Sequence, residues 1–202
     1  VSLEEFEDVE LLKVKQTRTA GEYCWTSTSS TILYCIEKYS LESCTYLDAD
    51  LYFFSNPDVL IEEMEKSNKS ILITSHRYTP EYDQSEISGK YCVQFMTFKN
   101  NKEGLQVLKW WRNACIEWCF ARAEQGKFGD QKYLDNWPNQ FDGVHELKNL
   151  GGGVAPWNVQ QYEFTDNLKG EKNISGEKFL LIFYHFHGVK VYSNNYFDCN
   201  MY

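Results

Sequence analysis

Cys44-Thr45-Tyr46-Leu47-Asp48-Ala49-Asp50-Leu51-Tyr52-Phe53-Phe54 carries two carboxylates inside an apolar run that stops at Ser55-Asn56-Pro57. The run reads as a buried strand. Such a strand tolerates two acids at its end only if something cationic meets them. In extended backbone, residues i and i+2 share a face with Cα atoms about 6.6 Å apart. Asp48 and Asp50 would then repel by roughly a few kcal/mol at an effective dielectric of about 20. A divalent cation reverses that sign. Hard oxygen ligands on a short acidic motif suit Mg2+ or Mn2+, which keep positions open for water and phosphate. The plainer alternative is a strand end that exposes two solvated acids at a turn.

Upstream, residues 1–22 read as a short strand end, an acidic helix-like patch and a polar loop. Arg18 is either a phosphate or carboxylate clamp or a surface arginine. Residues 23–39 predict a helix, with Trp25, Ser29, Ile32, Ile36 and Tyr39 on one face. Downstream, Asn56-Pro57-Asp58 starts a helix that runs to about Lys66, and Ile71–Ser75 is a strand. His76-Arg77 and the polar loop Tyr78–Lys90 form a substrate-binding edge or a structural turn. Tyr91–Lys99 alternates as a strand, and residues 103–123 predict the longest helix, with Trp111 and Trp118 in the core.

Three further stretches carry polar chemistry. Asp130-Gln131 opens a short helix, either as a cap or to aim a carboxylate and an amide into a cleft. Gly151-Gly152-Gly153 is a tight turn followed by Trp157; its spacing is neither GxGxxG nor a P-loop. Phe179–Phe186 reads as a buried strand ending in His185-Phe186-His187-Gly188-Val189-Lys190, a second chemical constellation. Residues 161–178 read as a polar surface excursion and 193–202 as an irregular tail.

The 202 residues fit one domain with a sizeable core. A net charge of −9 argues against nucleic acid or an anionic membrane as the main partner, and an anionic substrate would need a local cation. Seven cysteines with no CxxC spacing, and no histidine near the Cys115/Cys119 pair, argue against zinc. They read as reduced thiols in a cytoplasmic protein. The Asn68-Lys69-Ser70 and Asn173-Ile174-Ser175 glycosylation patterns read as chance. No run reaches about 18 apolar residues, and the start is acidic, so neither a transmembrane segment nor a signal peptide is expected. The chain lacks an initiator methionine and reads as beginning in mid-protein.

TYLDADLYFF resembles the metal-binding Asp-x-Asp strand of GT-A glycosyltransferases, especially the family of glycogenin and bacterial lipopolysaccharide galactosyltransferases. HFHG resembles that family's HFxG, which puts the metal-completing role on His185 rather than His187. GDQ resembles its sugar-pocket Asp-Gln segment. Lys190 follows Gly188 by two positions, where the family's lysine follows by three, and the usual Pro-Trp is missing.

The resemblance implies a GT-A-like, Rossmann-type mixed sheet, mainly parallel, with helices on both faces. It forms one domain over residues 1–202, truncated before the strand-helix unit that holds the nucleotide base. It implies Asp48, Asp50 and His185 on Mn2+ or Mg2+, with Asp130 and Gln131 as the catalytic pair. Substrate contacts are expected from Arg18, Trp25, Asp48, Ala49, Asp50, His76 and Arg77, and from Gly152, Trp157, Gly188 and Lys190. The implied activity is hexosyl transfer, with retention, from a nucleotide-sugar donor (a UDP-sugar) to a saccharide or lipid-linked acceptor in bacterial surface polysaccharide synthesis. A nucleotidyltransferase, another metal-dependent phosphate enzyme and a non-catalytic binding module remain as alternatives.

Overall fold

The computed structural model of the protein describes residues 1–172, 175–193 and 196–198; Cys199 and part of the second glycosylation pattern lie outside them. In chain order the helices and strands are α1 (Leu3–Phe6), α2 (Val9–Lys15), α3 (Ala20–Tyr39), β1 (Ser43–Leu47), β2 (Leu51–Phe53), α4 (Asp58–Lys66), β3 (Ile71–Ser75), α5 (Ser85–Ser88), β4 (Tyr91–Lys99) and α6 (Lys102–Glu117). They continue with α7 (Trp137–Gln140), β5 (Val144–Glu146), β6 (Tyr162–Phe164), β7 (Lys169–Lys172), β8 (Lys178–Leu180), β9 (Phe183–His185), β10 (Lys190–Val191) and β11 (Phe197–Asp198).

The central sheet has four strands in the order β1-β4-β3-β5. It is mixed: β3 and β5 are parallel, while β4 runs antiparallel to both β1 and β3. The expected bias towards parallel neighbours is therefore corrected by β4, which the chain inserts between β1 and β3. Strand alternation divides the core. Ile71 and Ile73 of β3 meet Ile32 and Ile36 of α3 and Leu108, Trp111 and Cys115 of α6. Leu72 points the other way and meets Leu60 and Met64 of α4, with Phe95, Ile182 and Phe183. Helices thus cover both faces.

The helix expected over 23–39 starts earlier, at Ala20, because Thr19 and Glu22 form a reciprocal capping box. The helix expected over 103–123 stops at Glu117, where Trp118 turns extended (φ −151°, ψ 120°). The Tyr133 hydroxyl donates to the Ala114 and Trp118 carbonyls at 3.1 and 2.7 Å, so that end is satisfied by a side chain far along the sequence. Residues 3–15 form two short helices instead of a strand end. The polar stretch 161–178 contributes strands to an antiparallel β6-β7-β8 sheet, and Phe197–Asp198 of the expected tail pairs with β10.

Both apolar runs that read as single strands are broken. The first divides into β1, in the central sheet, and β2, with Asp48–Asp50 in the turn between them. The second divides into β8 and β9, which belong to different sheets. β2 pairs with β9 antiparallel, Leu51 opposite His185. In the first run carboxylates cannot continue through a packed sheet, so the chain turns where they occur and restarts.

Gly151 to Gly153 run beside the β8–β9 break. The Gly151 carbonyl accepts from the Ile182 and Phe183 amides at 2.9 and 3.2 Å. A Cβ on Gly151 would stand 1.9 Å from the Leu180 carbonyl oxygen, a backbone atom that cannot swing away. Gly151→Ala is therefore expected to lose about 2–3 kcal/mol of unfolding free energy. Gly21→Ala, exposed in α3 with nothing within 4 Å, should gain about 0.5–1 kcal/mol. Urea denaturation of the two variants beside the parent chain checks the pair, and equal stabilities would refute the steric account.

Candidate active site

β1 delivers Asp48 to the sheet end, where its amide donates to the Gln94 carbonyl of β4 at 3.0 Å. Tyr46, two residues earlier, donates its hydroxyl to Asp48 Oδ1 at 2.9 Å. Beyond the turn, Asp50 Oδ1 lies 3.0 Å from His185 Nε2, and Asp48 Oδ2 lies 3.9 Å from the same nitrogen. His185 is buried, and its Nδ1 sits 2.7 Å from Gln94 Oε1. An amide oxygen only accepts, so Nδ1 carries the proton and Nε2 faces the carboxylates.

A turn held by glycine keeps this arrangement in place. Gly153 adopts φ +93°, and a Cβ there would lie 2.8 Å from Thr74 Cγ2 and 3.2 Å from Gln94 Nε2. The next residue, Val154, accepts the His185 amide at 2.8 Å. The histidine is therefore fixed at both its backbone and its ring.

These groups line a cavity of about 730 Å³. Trp25, Asp48, Ala49, Asp50, His76, Asp130, Gln131, Trp157 and His185 all open on it, which unites nine of the residues singled out in the sequence. Asp130 is buried; its carbonyl accepts from Trp111 Nε1 at 2.9 Å. Gln131 Nε2 donates to the Ser88 carbonyl of α5 at 2.7 Å. His76 stacks on Tyr78 with ring centroids 4.5 Å apart, and Trp157 stands edge-on to His76, His185 and His187 at 5.2, 5.2 and 5.5 Å.

The structure places the remaining expected residues elsewhere. Arg18 lies over the Phe120 ring at 3.8 Å and donates to the Ile116 carbonyl. Arg77 clamps the loop that leads into the glycine turn, donating to the Leu147, Asn149 and Gly152 carbonyls at 2.8, 3.1 and 2.8 Å. Gly152 is buried against Leu60 and Leu147. Gly188 is in a turn at φ +81°, and Lys190 is exposed on β10. No lysine or arginine is among the lining residues described, so the cations expected beside the acids do not reach them. Long flexible basic side chains are satisfied by carbonyls and rings nearer their own backbone.

The lining also includes residues the sequence reading did not single out: Cys24, Tyr46, Gln84, Ser88, Cys92 and Phe128. Tyr46 had a signal, since it shares a strand face with Asp48. His187, passed over in favour of His185, lines the cavity too. Cys92 and Gln94 had none, because β4 reads as an ordinary buried strand.

Burial pushes the Asp130 carboxyl up to about 8, with the charge of Asp48 adding to the effect. Burial also raises Asp48, to about 6, against the Tyr46 hydrogen bond that favours its charged form. Burial holds the His185 imidazole below its ordinary value, although Asp50 pulls it upward. A neutral imidazole nitrogen facing two carboxylates is repulsive until a cation stands among them. The oxygen and imidazole donors fit a hard divalent ion. Among the described residues, Asp50, His185 and His187 form one group whose ligand atoms lie within 4.8 Å of one another, and Asp48, Cys92 and His185 form another.

No family model matches the chain. It is 35% identical over 98% of its length to Uncharacterized protein YfnD of Bacillus subtilis (strain 168), of which it covers 63%. It is 33% identical over 92% of its length to Uncharacterized protein YfnF of the same organism, of which it covers 62%. The chain thus spans less than two thirds of the length of these curated relatives. Among solved structures, mouse xyloside xylosyltransferase 1 in its apo form is similar at a TM-score of 0.46 and 14% identity, over 88% of this chain and 70% of that one. A likeness this loose carries no argument about activity. Among the described residues no helix is long and apolar enough to cross a membrane.

Both raised carboxyls bind protons more tightly in the folded chain than in the unfolded one. Their contribution is complete below the ordinary carboxylate range. It is lost as pH rises through about 6 for Asp48 and about 8 for Asp130. His76 and His185, held by burial at about 3 and about 4, work the other way up to about pH 6.5, so the stability of the chain in chelator is expected to fall between about pH 6.5 and 8, through Asp130. Asp130→Asn should flatten that fall and be the more stable protein at pH 8. Urea midpoints across the pH range test this; parallel curves for the two proteins would contradict it.

Proposed function

We propose that this chain is a glycosyltransferase domain of GT-A type that moves a hexose from a nucleotide diphosphate donor, a UDP-sugar, to a hydroxyl of a saccharide or lipid-linked acceptor. One observation carries the reading: a cavity of about 730 Å³ brings Asp48 and Asp50 to 3.9 and 3.0 Å from His185 Nε2, the two acids falling in adjoining ligand groups that share this histidine, with no lysine or arginine in its described lining. Such a site repels an anionic diphosphate unless a divalent cation is bound. With one bound, it attracts both.

Asp48, Asp50 and His185 would hold Mn2+ or Mg2+, with His187 beside Asp50 and His185. The ion would supply charge stabilisation to the departing diphosphate. The protein's own groups do the rest. Gln94 and Val154 orient His185, and Tyr46 orients Asp48. Asp130 and Gln131 line the same cavity as the acids and would hydrogen-bond sugar hydroxyls.

With its carboxyl pushed up to about 8, Asp130 is protonated at neutral pH in the ion-free chain. A protonated carboxyl donates to a sugar hydroxyl, and we propose transfer with retention, in which Asp130 need not act as a base towards the acceptor. Trp25 and Trp157 offer flat apolar walls to a base or a sugar ring. The free thiols of Cys24, Cys35, Cys44, Cys92, Cys115 and Cys119 accord with a cytoplasmic site of action, and surface polysaccharide synthesis is the setting proposed.

Calorimetric titration with UDP, with and without Mn2+, tests the reading. Binding should need Mn2+, and Asp50→Ala should weaken it by about tenfold or more. Hydrolysis of UDP-sugars should follow the same metal dependence. Metal-independent UDP binding, or silence with every nucleotide diphosphate, would overturn it. Transfer of a nucleotidyl group instead of the sugar would favour the nucleotidyltransferase alternative.

A further inference from the structure

Cys92 lies buried on β4, two residues from Gln94, so the strand turns both side chains to one face. Gln94 holds His185 from behind. Cys92 Sγ comes within 4.8 Å of both an Asp48 oxygen and a His185 ring nitrogen, and those two lie equally close to each other. The companion group of Asp50, His185 and His187 shares only the imidazole. The two groups differ in chemistry. Oxygen and imidazole suit a hard ion such as Mg2+ or Mn2+. A thiol adds little for those ions, but it is a strong ligand for zinc. Three protein ligands of Cys, His and carboxylate type, facing a cavity, are the usual make-up of a zinc site with one position open. Sequence spacing does not reveal this set, because its members come from the β1–β2 turn, β4 and β9.

We propose that Asp48, Cys92 and His185 form a second, thiophilic cation position that takes zinc, and that zinc there excludes the hard ion. Two of the three ligands are already oriented: Asp48 by Tyr46 and His185 by Gln94. Zinc binding forms a Zn–S bond, and the thiol proton leaves to solvent; nothing is oxidised. Asp48 and His185 are also ligands of the hard ion in the function proposed above, so the two ions compete for them. That consequence for turnover rests on that reading. The zinc site itself does not.

Cobalt(II) is the probe. The parent chain should develop thiolate-to-cobalt charge-transfer absorption in the near ultraviolet, and Cys92→Ser should abolish it. Zinc should release bound Mn2+, followed by its electron paramagnetic resonance signal. Cys92→Ser should weaken zinc by at least roughly 100-fold while Mn2+ affinity changes little. Zinc-edge X-ray absorption of the parent chain needs no variant, and should show one sulfur at about 2.3 Å among nitrogen and oxygen ligands.

A shell without sulfur, a cobalt band that survives in Cys92→Ser, or zinc and Mn2+ held together would each overturn the proposal. None of these readouts needs a nucleotide. A chain that binds cobalt through Cys92 but no UDP would sink the transfer reading and leave this one standing.

Discussion

The constraint on which the rest of the structure depends is electrostatic: two carboxylates converge on one imidazole nitrogen, and among the described residues no lysine or arginine comes to neutralise them. Asp50 stands 3.0 Å and Asp48 3.9 Å from His185 Nε2. Left alone, such groups would move apart or take up protons. They stay because each is tied to a rigid part of the fold. Asp48 is held at the end of the central sheet by its amide bond to Gln94 and by Tyr46. His185 is held by Gln94 through its ring and by Val154 through its amide. The break in the first apolar run follows from the same constraint, since it lets the acids leave the sheet.

The glycine turn is part of this support. Gly153 passes close to both Thr74 and Gln94, which a side chain would prevent. Arg77 then fixes the segment leading into the turn by bonding its carbonyls. A guanidinium spent on backbone carbonyls is unavailable for a phosphate, but it makes the loop rigid enough to position Val154. Asn158, buried, adds bonds from its side chain to the carbonyls of His76 and Gly153 and accepts from the Ala155 amide. Trp157 donates to the His76 carbonyl from the same loop. The ring cluster of His76, Tyr78 and Trp157 is thereby locked against the two histidines of the site.

A strongly acidic surface and an acidic cavity point in one direction. With a net charge of −9, an anionic substrate gains nothing from approaching this protein except through a bound cation. Asp130 sharpens this, because its buried carboxyl feels the charge of Asp48. Neutralising Asp48 would therefore ease ionisation of Asp130, which couples the two parts of the cavity through space.

From the sequence alone, the helix of residues 23–39, the helix at Asp58 and the strands at Ile71 and Tyr91 were legible in local periodicity, and the nearness of Asp48-x-Asp50 to His185 in the resemblance of two short motifs. Trp25 was also marked, on a helix face, as were His76, Asp130, Gln131 and Trp157, each beside a turn or an element end. What only the tertiary structure decided is which basic residues reach the acids, and none of Arg18, Arg77 and Lys190 does. Their long side chains are claimed by carbonyls, a ring or solvent according to where the backbone leaves them, and no spacing rule records that. The same holds for Cys92 and Gln94. They sit in a strand whose sequence is that of ordinary core, and they acquire chemistry only because β4 runs between β1 and β3, which carries them to the place where Asp48 and His185 meet.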